Sequence, residues 1–196
     1  VNNDFISGQT ALTATPDDTD EFLVSDAGTI KRIDYSLIKG GGITMAQQWR
    51  LTADFTGDAD PIASNLEIVD THGYGTLGSN MTESSGVFTF PSTGYYLIMA
   101  HHFVSNTNFE RAATMNLNVT TDGSNFNNAG QSTCSLSPSS SLNTANTAIM
   151  KYILDVTNTS THKVSFKVSN VTGSTSTRGN TDFSETTFTF IRLGDT

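Results

Sequence analysis

A disulfide framework is excluded at once, because Cys134 is the only cysteine in the 196-residue chain. A secreted animal domain of this size would more often carry cysteine pairs. The neighbourhood of Cys134, TCSLSPSSS, holds no basic residue, so nothing activates the thiol and it reads as inert. Positive charge is scarce as well, with 10 Lys and Arg against 19 Asp and Glu and a formal net charge of -9. Phosphate backbones and anionic lipid head groups are bound mainly by Lys and Arg, so nucleic acid and membrane surfaces are poor partners for this chain. No apolar run approaches the roughly 20 residues that span a bilayer, so no membrane insertion is expected. No signal-peptide pattern is visible, and a start at Val1 rather than Met is expected of a processed or partial chain.

What is abundant is Ser, Thr, Asn and Gly, combined with a hydrophobic content of 36%. A disordered chain would have low and unpatterned apolar content. Here the apolar residues are strongly patterned, which suits short strands with polar outer faces and polar connections. The length fits one main domain with an appendage. A β domain of about 150 residues buries about 68–70% of its unfolded-chain surface without needing a staple.

The N-terminal part, residues 1–42, reads as a separate anchor or trimerisation segment, and residues 43–196 as the head domain. Two apolar runs flank Asp26-Ala27-Gly28, which predicts a β-hairpin with a short loop because Gly28 can supply a positive φ. Asp34 sits where a helix N-cap would sit, ahead of Tyr35 to Lys39. Gly40-Gly41-Gly42 then favours neither helix nor strand and reads as a hinge or helix stop.

From Ile43 onward period-two runs replace any helical period. Met115, Leu117 and Val119 alternate with Asn116 and Asn118; Val164, Phe166 and Val168 alternate with polar neighbours; Phe188 and Phe190 alternate with Thr187 and Thr189. Each set points one face at a core and the other at water. Two runs are apolar on both faces. Between Tyr95 and Val104, Tyr95, Leu97, Met99 and Phe103 share one face, and Tyr96, Ile98, Ala100 and Val104 the other. Between Ala148 and Val156, Met150, Tyr152, Leu154 and Val156 oppose Ile149 and Ile153. A second apolar face needs cover, from another copy of the chain or from long loops. Tyr96, Ile98, Phe188 and Phe190 are taken as the expected subunit-interface residues. Turn signals at Thr56-Gly57-Asp58, Ser85-Gly86, Pro91 to Gly94, Asp122-Gly123 and Thr172-Gly173 separate the runs. Short strands at this spacing predict an all-β antiparallel jelly-roll sandwich with a short N-terminal hairpin and helix.

The segment Gly86-Val87-Phe88-Thr89-Phe90-Pro91-Ser92-Thr93-Gly94-Tyr95-Tyr96 resembles the signature of the complement C1q-like (TNF-like) family. Phe88 and Phe90 anchor a core, Pro91 stops ladder pairing, and the tyrosines open the next strand. Trp49-Arg50-Leu51, Leu154-Asp155-Val156 with His162 to Phe166, and Thr186 to Ile191 resemble further strands in the right order, over residues 44–196. The collagen-like stalk common in animal members is absent. Instead, Asp20 to Ile33 and Asp54-Phe55-Thr56-Gly57-Asp58-Ala59-Asp60-Pro61 resemble segments of tail-fibre and other appendage proteins of tailed bacteriophages. The resemblance implies a C1q/TNF-like jelly roll and a homotrimer on a virion, outside the cell, anchored by its N-terminal segment.

Asp54, Asp58 and Asp60 form an acidic stretch whose carboxylates are candidates for one Ca²⁺ ion, a hard cation that needs several oxygen ligands. No other cofactor is expected. His101 and His102 are adjacent on a strand and point to opposite faces, so they do not share one metal. Neither a Gly-x-Ser-x-Gly elbow nor an HExxH motif is present. A glycosidase pair would have to come from Glu67, Glu83, Glu110 and Glu185, with Trp49 committed to a strand, so no enzymatic activity is expected. The Asn-x-Ser/Thr triplets at Asn80, Asn118, Asn158 and Asn170 follow from composition. Asn125 to Thr147 and Gly173 to Thr181 lack strand pattern and read as polar loops whose side chains could hydrogen-bond a host surface receptor, glycan or protein. The expected role is a tail-fibre tip that attaches to the host. The alternatives are a head fibre or capsid decoration protein bound to other virion proteins, and a secreted C1q-like binding module.

Overall fold

The computed structural model describes residues 10–38, 42–107, 110–137 and 143–196. The chain forms two compact units that divide between Gly41 and Gly42. Lys39, Gly40 and Gly41 lie outside the described residues, as do residues 138–142 of the expected polar loop.

In the first unit, β1 (Glu21–Asp26) pairs antiparallel with β2 (Thr29–Asp34), and α1 (Tyr35–Ile38) follows directly. The connection is the turn expected from Asp26-Ala27-Gly28. Ala27 and Gly28 both have positive φ, 48° and 85°, the backbone twist that joins two strands through two residues. Leu23, Ile30 and Leu37 are largely exposed.

The second unit is a two-layer antiparallel sandwich. Its strands are β3 (Met45–Leu51), β4 (Ala53–Thr56), β5 (Leu66–Ile68), β6 (Thr82–Ser84), β7 (Val87–Thr89), β8 (Gly94–Asn106), β9 (Ala112–Thr120), β10 (Asn127–Ser135), β11 (Thr144–Val156), β12 (Lys163–Ser169), β13 (Thr175–Asn180) and β14 (Thr187–Gly194). One sheet runs β10-β9-β12-β7-β6. The other has seven strands in the order β4-β13-β8-β14-β3-β5, with β11 on the far side of β8. The alternating runs became β9, β12 and β14, and Met115, Leu117, Val164, Phe166, Val168, Phe188 and Phe190 are all buried between the sheets.

Phe88 sits at the centre of that core. Its ring lies 5.3 Å from Trp49, 5.7 Å from Phe166 and 5.2 Å from Phe190, in edge-on and tilted arrangements that suit aromatic quadrupoles. The Pro91 turn leads into β8 at Gly94, whose φ is 138° and where a Cβ would stand 2.4 Å from the carbonyl oxygen of Gly194. Only glycine fits there. Tyr96 then folds back, and its hydroxyl donates to the Ser92 carbonyl at 2.9 Å.

Two expectations need correction. Asn125 to Thr147 and Gly173 to Thr181 are not simply loops, because they contain β10 and β13. β10 pairs with β9 over nearly its whole length, and β13 pairs with β4 and β8. Their sequences, NNAGQSTCS and TSTRGN, carry no apolar alternation, since main-chain ladders and buried threonines (Thr175, Thr177) hold them in place.

Candidate functional site

Tyr96, Ile98, Phe188 and Phe190, expected at a subunit interface, are fully buried core residues of a single chain. Alternation put them on one strand face correctly but did not reveal which face the second sheet covers. The other face of the same strands is the uncovered one.

Strand register defines that face. Ile153, Leu97, Ile191 and Ala46 line up across β11, β8, β14 and β3. The next row is Lys151, Met99, Thr189 and Gln48, and the one after is Ile149, His101, Thr187 and Arg50. Ile149 and Ile153 are 58% and 60% exposed, on a strand that among the described residues pairs with β8 alone. Leu97, Met99 and Ile191 are half-buried among them. The apolar part of this face is Ile153, Leu97, Ile191, Met99 and Ile149, interleaved with Lys151 and bordered by Thr189, Gln48 and His101.

At one end of the face a cavity of about 360 Å³ opens among Gln48, Met99, His101, Ile149, Glu185 and Thr187. The His101 ring stands with Nδ1 2.7 Å from the Glu185 carbonyl oxygen. The Glu185 side chain is mostly buried. Its Oε1 lies 3.7 Å from Arg178 Nε, and its Oε2 has no hydrogen-bond partner among the described residues. Arg50, at the far edge, is wholly enclosed. It donates to Glu67 at 2.7 Å, Asp70 at 2.8 Å and Thr71 at 2.8 Å, which ties β3 to β5 and the segment after it.

His102 points the other way, as its neighbour relation to His101 requires. It is buried, its Nε2 lies 3.0 Å from Thr177 Oγ1, and its Nδ1 has no partner among the described residues. Burial, and then the nearby charge of His101, lower its pKa to about 4, so it is neutral in the core. Cys134 is buried in a small cluster with Val104, Ala113, Leu136 and Ala148, and burial pushes its thiol pKa up. That is the environment of an unreactive cysteine.

Asp54, Asp58 and Asp60 are not brought together as one set. Asp54 pairs with Arg178 and accepts from the Gly179 amide at 2.9 Å. Asp58 accepts from the Val171 amide at 2.9 Å, and Asp60 pairs with Lys167 at 2.7 Å. The carboxylates therefore pin the connection after β4 onto β12 and β13. Among the described residues no three His, Cys, Asp or Glu side chains are grouped as metal ligands. The glutamates considered for a hydrolytic pair are also taken separately. Glu67 meets Arg50, Glu83 accepts from the Gly86 amide, Glu110 accepts from the Thr172 amide, and Glu185 lines the cavity. His72 pairs with Asp182 at 3.2 Å on the surface.

The sequence did not show that Glu185, Lys151 and His101 come to lie near one another. The signal available was that Ile149 and Ile153 flank Lys151 on a face with no polar alternation of its own. Among the described residues, no helix is long and apolar enough to cross a membrane.

No family model matches the sequence, and no curated protein matches it. Solved structures do resemble it. Eiger TNF from S. frugiperda superposes with a TM-score of 0.61 at 11% identity, over 79% of this chain and 96% of that one. Murine APRIL, crystallised at pH 5.0, superposes with a TM-score of 0.53 at 11% identity, over 76% of this chain and 98% of that one. At such identities the likeness concerns architecture, and with the antiparallel two-sheet topology it establishes a TNF-like jelly-roll β-sandwich fold.

Proposed function

We propose that this chain is a homotrimeric, non-enzymatic appendage of a phage virion whose jelly-roll head attaches to a host surface receptor. The observation that carries the reading is the exposed apolar stretch of β11 and β8, Ile149 and Ile153 with Leu97 and Met99, which a second copy would cover. The C1q-like signature from Gly86 to Tyr96 supports the trimer, and the phage-like segment Asp20 to Ile33 supports the virion. In this reading that segment, an exposed hairpin bearing Leu23 and Ile30, is the anchor.

Receptor contact is assigned to the polar edge strand β10. Gln131, Thr133 and Ser135 are exposed there and offer amide and hydroxyl groups to a glycan or a protein. Light scattering on a sizing column would give three times the 21.0 kDa subunit mass. Replacing Gln131 and Thr133 together by alanine should leave that mass unchanged and abolish adsorption to host cells. Normal adsorption by the double variant would remove receptor binding from β10. An antibody to the head that labels capsids rather than tails would move the protein to the virion shell.

A further inference from the structure

The outer face of the large sheet carries an exposed lysine and, beside it, a buried carboxylate that is only partly paired. Lys151 stands on edge strand β11 between the exposed Ile149 and Ile153, is itself exposed, and has no ion-pair partner among the described residues. Glu185 lines the cavity beyond Thr187, and its buried Oε2 has no hydrogen-bond partner among the described residues. A carboxylate oxygen left unpaired in a buried site is costly, which favours a donor arriving from outside the chain. The nearest cation, Arg178, leaves Oε1 at 3.7 Å and is already paired with Asp54.

We propose that Lys151 of one copy enters this cavity on a second copy and pairs with Glu185, so that an ion pair sets the register of the subunit contact. The inference rests on the oligomer reading above. Charge complementarity is its main support: the chain is strongly acidic, its copies repel one another, and Lys151 is the cation displayed on the apolar face. Size agrees. A cavity of about 360 Å³, lined by apolar Met99 and Ile149 as well as polar Thr187 and Gln48, suits an aliphatic stem that ends in an ammonium group. His101 lines it too, with Nδ1 held at the Glu185 carbonyl. A trimer requires a head-to-tail contact, in which Lys151 of one copy meets Glu185 of the next. A head-to-tail contact closes into a ring when the rotation permits, whereas a self-complementary patch would give a two-fold pair.

The test is a charge swap read by light scattering over a range of protein concentrations, with circular dichroism to confirm that each variant is folded. Lys151→Glu and Glu185→Lys alone should each weaken assembly by about tenfold or more, and the double swap should recover it. Lys163→Glu, on β12 in the other sheet, should leave assembly unchanged. An oligomer that tolerates both single changes would overturn the ion pair while leaving the subunit reading intact. Loss of assembly without recovery in the double variant would overturn it too. A wild-type chain that stays monomeric at every concentration would overturn the subunit reading itself.

Discussion

Phe166 of β12 and Phe188 of β14 stack with ring centroids 4.2 Å apart and planes at 29°, one from each sheet. This contact crosses the sandwich at its centre, where Phe88 and Phe190 also touch the Phe166 ring. Removing one ring leaves a cavity that two rigid sheets cannot close. Phe166→Ala is therefore expected to cost about 3–5 kcal/mol, measured by urea unfolding of a folded variant. A loss below about 1 kcal/mol would mean that the sheets collapse onto the gap.

The opposite result is expected on the outer face of the sheet that carries Phe188. Ile149 and Ile153 project from β11 away from that core, so Ile149→Ser with Ile153→Ser should change the unfolding free energy of the isolated chain by less than about 1 kcal/mol. The same pair should lower the oligomer mass seen by light scattering at low protein concentration. Unchanged mass would show that the apolar face is not where copies meet.

These two predictions also mark what could be read from sequence. Strand positions were legible at Met115 to Val119, Val164 to Val168 and Phe188 to Phe190, because polar alternation there marks the core-facing residues, but the expected water-facing Asn116, Ser165 and Thr187 are buried as well. In β8 both faces are apolar, and the choice between Tyr96 with Ile98 and Leu97 with Met99 depends on where the second sheet packs. That information is tertiary. β10 was illegible for a different reason: its nine residues are small and polar, and pairing with β9 rather than side-chain burial makes them a strand. The partners of the acidic stretch were illegible because the cations that answer it, Lys167 and Arg178, lie 107 residues from Asp60 and 124 residues from Asp54.

Because those carboxylates are already engaged, Ca²⁺ and EDTA are expected to leave the melting temperature and the oligomer mass unchanged. Lys167→Ala should act only modestly, since a half-exposed ion pair contributes roughly 0–1 kcal/mol. A rise in melting temperature of several degrees on adding Ca²⁺ would show instead that a cation displaces Arg178 and Lys167 and gathers the three aspartates.

Acid should act through His102. Its pKa is about 4 in the folded protein against 6.5 ordinarily, so between these values the unfolded chain holds a proton that the native chain does not. Stability from this group is fully present above about pH 6.5 and is lost as pH falls toward 4, because the unfolded state is then favoured by proton uptake. Between pH 7 and pH 5 the loss is about 2 kcal/mol. The cause is burial, reinforced by His101 on the opposite face, while Thr177 accommodates the neutral ring. His102→Gln keeps a polar group beside Thr177 but cannot titrate, so its urea midpoints at pH 7 and pH 5 should lie closer together than those of the wild type by that amount. Equal pH dependence in the two proteins would mean that His102 is protonated in the fold or that other groups dominate the acid limb.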